Sequence, residues 1–190
     1  MKINSRGYWE DVSPENHGHD EGLGIALVAF FQKEKANTVF DIGCGDGWYT
    51  HFLNEHGILT VGFDGNPDTS SFAGNGCYHL DFSVPLSPVF PANWVLSLEV
   101  GEHIPAEFEG TFIDNIARYC SKGVVISWSI PEYGGEGHVN PQSNEYICEK
   151  FTKKGFTLDE SATETLRNSA AEYPTPCYWF RKTLMVFRRR

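Results

Sequence analysis

The sequence has few of the features that mark several common protein classes. Its five cysteines lie far apart and include no CxxC pair, which argues against a zinc ribbon and against a disulfide framework. We therefore expect a reduced, cytoplasmic setting. No apolar run approaches the ~20 residues of a membrane span, and the first residues lack the apolar stretch of a signal peptide. These absences predict a protein without membrane association.

Positive charge is also scarce. The chain has 15 lysines and arginines against 25 aspartates and glutamates, which gives a formal net charge of -10. A protein of this charge repels polyanions, so the charge disfavours nucleic acid and favours a small-molecule substrate. The basic run at 187–190 is the one exception. The composition indicates no particular oligomeric state.

Apolar, β-branched runs recur along the chain with helical patterns between them. The runs are mostly continuous, which is typical of strands buried on both faces of a sheet. Predicted strands cover residues 38–43, 59–64, 77–82, 94–100 and 123–129, and predicted helices cover 20–33, 47–56, 106–121 and 141–154. Asp20 is placed to cap the first helix. The alternation predicts an α/β fold, a doubly wound, mostly parallel sheet with helices on both faces.

The two ends of the chain follow other patterns. Residues 183–189 form an apolar run, and no helical pattern separates them from an extended segment near 156–166. This predicts a terminal hairpin that adds an antiparallel strand to the sheet. Residues 1–19 are polar and contain glycine, which fits a leader or a lid over a site, and residues 20–190 fit a single domain.

A glycine-rich turn, VFDIGCGDGWYT, joins the first predicted strand to the second predicted helix. Gly43, Gly45 and Gly47 allow the backbone to approach a ligand closely and present N–H donors at the start of a helix. The dinucleotide pattern G-x-G-x-x-G would need a glycine at position 48, where the chain has Trp48. The turn therefore predicts a ligand other than a dinucleotide.

Each of the first three predicted strands has an aspartate at or near its carboxyl end. Asp41 lies two residues before the first glycine, where a carboxylate repels a pyrophosphate but suits an ammonium or sulfonium group. Asp64 stands where an acid accepts hydrogen bonds from ribose hydroxyls. Asp81 is followed by Phe82, a pair that suits the amine and the ring of adenine. Together they describe a phosphate-free nucleoside with a cationic amino-acid tail, as in S-adenosylmethionine.

These segments, in this order, resemble the motifs of the class I S-adenosylmethionine-dependent methyltransferases: DIGCGDG, GFDGNP, LDF and WVLSLEVGEHIP. The resemblance implies a Rossmann-like, seven-stranded sheet with an antiparallel last strand, methyltransferase activity, and S-adenosylmethionine as cofactor. The residues that it assigns to the cofactor are Asp41, Gly43, Cys44 and Gly45 for the methionine part, Asp64, Gly65 and Asn66 for the ribose, and Asp81 and Phe82 for the adenine.

The fourth predicted strand ends in LSLEVGEHIP, which places two carboxylates and an imidazole close together. In a doubly wound sheet this end lies beside the ligand, so Glu99, Glu102 and His103 are candidate catalytic residues on the substrate side. Neighbouring carboxylates repel each other unless a cation lies between them, and carboxylates with imidazole suit Mg²⁺, Mn²⁺ or Zn²⁺. His138, in a glycine-rich loop after the fifth predicted strand, is the candidate fourth ligand.

This pattern is similar to the metal site of small-RNA 2′-O-methyltransferases and of ubiquinone-pathway O-methyltransferases. The similarity implies that the four side chains hold a divalent metal, which binds a substrate hydroxyl and lowers its pKa. Two metal-free alternatives stay open. In one, His103 or His138 is a base or a substrate contact, and in the other, Glu102 satisfies helix N–H groups.

We therefore expect a methyltransferase that acts on an oxygen or nitrogen nucleophile of a small molecule. One alternative is a metal-assisted RNA 2′-O-methyltransferase, which requires a basic groove. Another is a non-catalytic subunit that binds the cofactor for a partner chain. In the leader, Tyr8, Trp9, His17 and His19 either join the site from a lid or pack against its surroundings.

Overall fold

The computed structural model describes residues 2–10, 17–87, 90–172 and 177–190. The helices are α1 (Glu21–Lys33), α2 (Trp48–Glu55), α3 (Thr69–Phe72), α4 (Ala106–Tyr119), α5 (Asn144–Lys153), α6 (Glu160–Glu172) and α7 (Phe180–Thr183). The strands are β1 (Val39–Ile42), β2 (Thr60–Asp64), β3 (Cys77–His79), β4 (Ala92–Leu98), β5 (Cys120–Ser127), β6 (Phe156–Leu158) and β7 (Met185–Arg189). A 3₁₀ turn, Gly101–His103, follows β4. Within these described ranges, no helix is long and apolar enough to cross a membrane.

One seven-stranded sheet, in the order β3-β2-β1-β4-β5-β7-β6, organises the chain. The neighbours from β3 to β5 are parallel, whereas β7 is antiparallel to both β5 and β6. The strand order reverses direction between β1 and β4, and the crevice at such a point is where these sheets bind ligands. The predicted Rossmann-like sheet with an antiparallel last strand is confirmed.

Helices cover both faces of this sheet, as predicted. On one face, Phe112 of α4 and Phe151 of α5 belong to a buried cluster with the strands. On the other face, Leu27 of α1 and Leu166 of α6 pack in a second cluster that includes Trp94 of β4. Each such side chain contributes roughly 1.5–3 kcal/mol when buried. Strand β4 is buried over most of its length, in agreement with its continuous apolar run.

The end of the chain differs from the prediction. Residues 160–172 form α6, and α7 follows before β7 begins, so β6 and β7 are antiparallel neighbours that no hairpin joins. Helix α6 begins after Asp159, whose carboxylate accepts a hydrogen bond from the Ala162 N–H at 2.9 Å. This is a helix N-cap. The expected extended segment near 156–166 is therefore wrong beyond residue 158, although the direction of the last strand is right.

The start of α1 provides a test of how the fold is stabilised. The buried Asp20 accepts a hydrogen bond from the Leu23 N–H at 2.8 Å. Asp20→Ala removes the acceptor, so we expect the free energy of unfolding to fall by about 1 kcal/mol, as measured by urea denaturation. Asp20→Asn keeps an acceptor oxygen and is the matched control, with an expected change of only a few tenths of a kcal/mol. Equal losses in the two variants would contradict the capping role.

Candidate active site

A cleft of about 550 Å³ opens at the carboxyl ends of the central strands, a volume that suits a small-molecule site. Its walls come from the ends of β1 to β4, the loop after β5, the segment before α7, and the leader. Of the site residues predicted from the sequence, all line this cleft except Asn66 and Glu102. The cleft therefore lies where the predicted cofactor and substrate sides were expected to meet.

The glycine turn adopts a backbone that requires its glycines. Gly43, Gly45 and Gly47 have φ angles of 78°, 54° and 80°, a left-handed region that L side chains rarely adopt. A Cβ on Gly43 would also lie 2.3 Å from the side chain of Val100. Between the first two glycines, the buried side chain of Cys44 packs with other small apolar side chains. The turn thus presents bare backbone to the cleft.

Asp41 is the buried acid beneath this turn. Helix α2 fixes it, because the Thr50 hydroxyl donates a hydrogen bond to Asp41 Oδ2 at 2.8 Å. Burial is the main cause that raises the pKa of Asp41 to about 7, and the hydrogen bond from Thr50 acts in the opposite direction. The carboxyl group therefore exchanges its proton near neutral pH, and a cationic ligand in the cleft would favour its charged form.

Asp64 ties the end of β2 to the glycine turn. Its carboxylate accepts hydrogen bonds from the Gly45 N–H at 3.2 Å and from the Asn66 N–H at 2.9 Å. Burial raises the pKa of Asp64, while these two backbone donors lower it. The carboxylate also lines the cleft, which leaves it within reach of a ligand.

Asn66 and Gly65 face the leader. The Asn66 side-chain amide donates to the Trp9 carbonyl at 2.6 Å, and its Oδ1 accepts from the Asp68 N–H at 2.8 Å. Because both ends of this side chain have partners, Asn66 holds the leader in place and does not reach the cleft. The side chain of Tyr8 packs so closely on Gly65 that a Cβ there would lie 2.9 Å from it.

Asp81 also meets the leader. One carboxylate oxygen accepts from the N–H and the hydroxyl of Ser83 at 2.8 and 2.6 Å, and the other forms an ion pair with Arg6 at 2.7 Å. Phe82 is buried, with its ring 5.1 Å from that of Tyr119. The sequence did not indicate Arg6, because a single arginine in an irregular polar segment carries no pattern.

On the other side of the cleft, three of the four predicted metal ligands come together. Glu102, His103 and His138 each present one potential ligand atom within 4.8 Å of the others. His138 Nε2 lies 4.0 Å from Glu102 Oε1. His103 Nδ1 lies 3.1 Å from the carbonyl oxygen of Gly137. Because a carbonyl only accepts, Nδ1 carries the proton and Nε2 keeps its lone pair.

This three-residue group is a buried acid beside two neutral imidazoles. Glu102 is fully buried, and its carboxyl group lies beside that of Glu99 and beside the backbone N–H groups of Glu102 and Ser129, although none of these contacts has full hydrogen-bond geometry. Burial, followed by the charge of Glu99, raises the pKa of Glu102 well above its usual value. Burial lowers the pKa of His103 to about 4 and also lowers that of His138. A divalent cation beside Glu102 would offset the repulsion between the two neighbouring carboxyl groups.

Glu99, the fourth predicted ligand, is not one of these three residues, although its carboxyl group neighbours that of Glu102. Its Oε1 accepts a hydrogen bond from the Thr183 hydroxyl at 3.0 Å, and its N–H donates to Ser127 Oγ at 2.8 Å. It has a φ of 54°, a left-handed backbone that is uncommon for a residue other than glycine. Burial raises the pKa of its carboxyl group. Glu99 lines the cleft beside the three-residue group and is held by β5 and α7.

A hydrogen-bonded scaffold fixes the loop that carries His138. The Glu102 carbonyl accepts from the N–H groups of Val139 and Asn140 at 2.9 and 2.8 Å. The backbone carbonyl of Asn140 accepts a hydrogen bond from the Trp128 indole at 2.8 Å. The side-chain amide of Asn140 donates to the buried Glu109 at 2.9 Å. Glu109 was missed from the sequence. A buried acid inside an amphipathic helix resembles any surface acid until its partners are known.

No protein-family model matches the chain, and no curated protein matches it. Solved structures do resemble it. The magnesium protoporphyrin IX methyltransferase of Synechocystis, with bound S-adenosylhomocysteine, is 16% identical over 88% of this chain and 82% of its own, with a TM-score of 0.64.

Two further solved structures show the same likeness. A sugar N-methyltransferase from a Streptoalloteichus species is 15% identical over 100% of this chain and 99% of its own, with a TM-score of 0.67. The methyltransferase domain of a bacterial Hen1 is 16% identical over 88% of this chain and 96% of its own, with a TM-score of 0.63. At these identities the likeness shows that the chain has the fold of these methyltransferases.

The raised pKa of Asp41 makes stability depend on pH. Its pKa of about 7 exceeds the usual 3.8, so between these values the folded protein binds more protons than the unfolded chain. The Asp41 contribution to stability therefore falls as the pH rises through this window. Asp41→Asn carries no charge, and we expect it to be more stable than the wild type at pH 8, by at least about 1 kcal/mol.

Urea denaturation at a series of pH values measures this effect. The advantage of Asp41→Asn should shrink toward pH 4, where Asp41 is neutral in the folded protein. The exposed Asp68 provides the control, since Asp68→Asn should give no such pH-dependent difference. A constant difference for Asp41→Asn at all pH values would contradict the buried, proton-binding state of this carboxyl group.

Proposed function

We propose that the protein is an S-adenosylmethionine-dependent methyltransferase that acts on an oxygen or nitrogen nucleophile of a small molecule. The observation that carries the proposal is the set of acids at three successive strand ends, Asp41, Asp64 and Asp81, around a left-handed glycine turn. The fold is shared with methyltransferases, one of which was solved with S-adenosylhomocysteine. Neither the fold nor the acids alone would specify this ligand.

The chemistry of the cleft fits S-adenosylmethionine. A wall of carboxylates repels phosphates and attracts a ligand with sulfonium and ammonium groups. In this proposal Asp64 accepts from the ribose hydroxyls, Asp81 accepts from the adenine amine, and Asp41 attracts the charged methionine part. When bound, the cofactor supplies an electrophilic methyl group. The chain's own contribution is to hold the two reactants in line and to exclude water.

The substrate side favours a neutral or cationic small molecule. The rings of Tyr133 and Tyr178 meet edge to face at 5.8 Å, and Trp179 lies next to Tyr178 at 5.4 Å. Among the described residues that line the cleft, Arg6 is the only lysine or arginine, and Asp81 pairs with it. Two of the similar structures are named for small-molecule substrates, a magnesium porphyrin and a sugar.

We also propose that Glu102, His103 and His138 hold a divalent metal. The buried Glu102 carboxylate next to a second acid, its 4.0 Å distance to His138 Nε2 and the free Nε2 of His103 fit such an ion. When bound, the metal would lower the pKa of a substrate hydroxyl, which favours oxygen as the methylated atom. Glu99 accepts from Thr183 and would orient the substrate from beside the ion.

The resemblance of Glu99, Glu102, His103 and His138 to the metal site of small-RNA 2′-O-methyltransferases keeps a metal-assisted RNA 2′-O-methyltransferase as the second candidate. Its requirement for a basic groove conflicts with the acidic lining of the cleft. Binding of an RNA oligonucleotide at low salt, with loss of binding as salt rises, would favour this candidate. A non-catalytic subunit is the third, and it predicts cofactor binding without turnover on any nucleophile.

Residues 20–190 are proposed to form the methyltransferase domain. Of the leader, residues 1–19, the structure describes 2–10 and 17–19, and these are proposed to cover the cleft. The described leader residues touch both the cofactor side and the three-residue group. The ring of Trp9 lies 5.5 Å from that of His17 and 5.4 Å from that of His103. A covering segment of this kind excludes water from methyl transfer.

Calorimetric titration with S-adenosylhomocysteine tests cofactor binding. We expect Asp64→Asn to weaken binding by about 10-fold or more, because it removes charge-assisted hydrogen bonds to the ribose. Asp68→Asn, an exposed change in the same loop, is the control and should leave binding unchanged. Release of S-adenosylhomocysteine from S-adenosylmethionine with a panel of hydroxyl and amine compounds then measures turnover. If the wild-type protein binds neither S-adenosylhomocysteine nor S-adenosylmethionine, the proposed function is wrong.

Removal and return of the metal tests the ion site. After dialysis against a chelator, we expect Zn²⁺, Mn²⁺ or Mg²⁺ to raise the melting temperature of the wild type and of Glu107→Gln. Glu107 is exposed on α4 and controls for the loss of one negative charge. Glu102→Gln should abolish the shift and the bound metal found by elemental analysis. No shift in the wild type with any of the three ions would exclude the metal.

A further inference from the structure

A buried acid in α4 is connected to the three-residue group through the loop after β5. Glu109 is 3% exposed. Its carboxylate accepts from three side chains, Asn140 Nδ2 at 2.9 Å, the Tyr146 hydroxyl at 2.8 Å and Lys150 Nζ at 2.8 Å. Burying a carboxylate is unfavourable unless it is paired and hydrogen-bonded, and these three donors meet that condition. Glu109 is therefore built into the fold as an anion.

The charge of Glu109 sets it apart from the acids of the neighbouring strand end. Burial raises its pKa, but the hydrogen bonds from its three donors outweigh burial, and the pKa of Glu109 lies below its usual value. Burial instead raises the pKa values of Glu99 and Glu102. A charged acceptor forms stronger hydrogen bonds than a neutral one. The bond from Asn140 to Glu109 therefore fixes the Asn140 side chain firmly.

Asn140 extends this attachment to the backbone around Glu102. Its N–H and that of Val139 donate to the Glu102 carbonyl at 2.8 and 2.9 Å. Its own carbonyl accepts from the Trp128 indole at 2.8 Å. A Cβ on Gly101 would lie 2.1 Å from the ring of that tryptophan, so the indole packs directly on the backbone before Glu102. Residues 101 and 102 are thus held by contacts that meet at Asn140.

The loop that carries His138 depends on the same attachment. Three of the four residues before His138, 134–137, are glycines, which give the backbone more freedom than other residues. The loop also orients His103, whose Nδ1 lies 3.1 Å from the Gly137 carbonyl oxygen. Asn140 follows two positions later and bonds the loop to α4. The spacing of the three-residue group therefore depends on where Asn140 is held.

We propose that Glu109 is a positioning residue for the substrate side, which acts through Asn140 to set the spacing of the three-residue group and its affinity for a divalent metal. This inference rests on the proposed function, and within it on the proposed metal. It assigns no chemical step to Glu109. It extends the site to the contact between α4 and α5, because Tyr146 and Lys150 of α5 complete the shell around the carboxylate.

Binding of Co²⁺ to chelator-treated protein tests this role, because the visible absorption of bound Co²⁺ depends on its ligands and their geometry. We expect Glu109→Ala to weaken Co²⁺ binding by about 10-fold or more and to alter the spectrum. Glu109→Gln keeps an acceptor oxygen for Asn140, so it should retain most of the affinity and the wild-type spectrum. Glu107→Ala, an exposed change on the same helix, is the control and should match the wild type.

A second variant removes the same bond from its other end. Asn140→Ala leaves Glu109 with Tyr146 and Lys150, and its backbone can still bond to Glu102. We expect a similar loss of Co²⁺ affinity. The double variant Glu109→Ala/Asn140→Ala should lose no more than either single variant, because both changes remove one shared bond. Fully additive losses would contradict the proposal. If Glu109→Ala does not fold, the result for Asn140→Ala decides.

Calorimetric titration with S-adenosylhomocysteine separates positioning from a general loss of structure. We expect Glu109→Ala and Asn140→Ala to change this affinity less than about 2-fold, because the cofactor side lies at the ends of β1 to β3. Equal losses of Co²⁺ and S-adenosylhomocysteine affinity would mean that Glu109 only supports the fold, and the proposal would be wrong. Unchanged Co²⁺ affinity in both variants would also overturn it.

The wild type separates this inference from the proposed function. If it binds S-adenosylhomocysteine but no Co²⁺, the proposed metal fails and the role of Glu109 fails with it, whereas the proposed cofactor stands. If it binds Co²⁺ but no S-adenosylhomocysteine, the proposed cofactor fails, and the Co²⁺ affinities of the variants still decide the role of Glu109.

Discussion

The burial of carboxyl groups at one edge of the sheet is the constraint on which the site depends. Burial raises the pKa values of Asp41, Asp64, Glu99 and Glu102, all at or just beyond the ends of β1, β2 and β4. An unpaired buried charge costs several kcal/mol, so each acid requires a donor or a cation. Hydroxyl and backbone donors meet this need for three of them, whereas Glu102 lies beside a second carboxyl group, that of Glu99, and none of its contacts has full hydrogen-bond geometry.

The partners of these acids come from elements far apart in sequence. Thr50 belongs to α2, Ser127 to β5 and Thr183 to α7, and each donates to or accepts from a group at the strand ends. Glu109 in α4 holds Asn140, whose backbone bonds to Glu102. The positions of the acids at this sheet edge therefore depend on contacts from several elements. A change in the packing of any of these elements would shift the side chains of the site.

Much of the fold was predictable because periodicity and capping are local. Continuous apolar runs located β1, β2, β4 and β5, and Asp20 marked the start of α1. Helix α6 was missed because its sequence, ESATETLRNSAAE, is mostly polar, and its few buried residues, such as Leu166 and Ala170, are too sparse to show a helical stripe. The N-cap at Asp159 was the local signal that could have revealed it.

The candidate site was predictable in part, for a similar reason. Strand-end acids and the glycine turn occupy fixed places in a parallel sheet, so their convergence follows from topology. The partners of the acids do not follow from it. The ion pair of Arg6 and Asp81 joins residues in an irregular leader and a loop. The departure of Glu99 from the three-residue group depends on a backbone angle and on Thr183, which no sequence pattern reveals.

The reversed direction of β7 also has a geometric result. In a parallel strand, the preceding segment enters from the edge opposite the cleft. Because β7 runs against β5, the chain before it, residues 177–184, arrives at the cleft edge and contributes Tyr178, Trp179 and Thr183. One inverted strand thus brings residues 177–184 to the edge of the cleft, where they pack against Gly18 of the N-terminal leader.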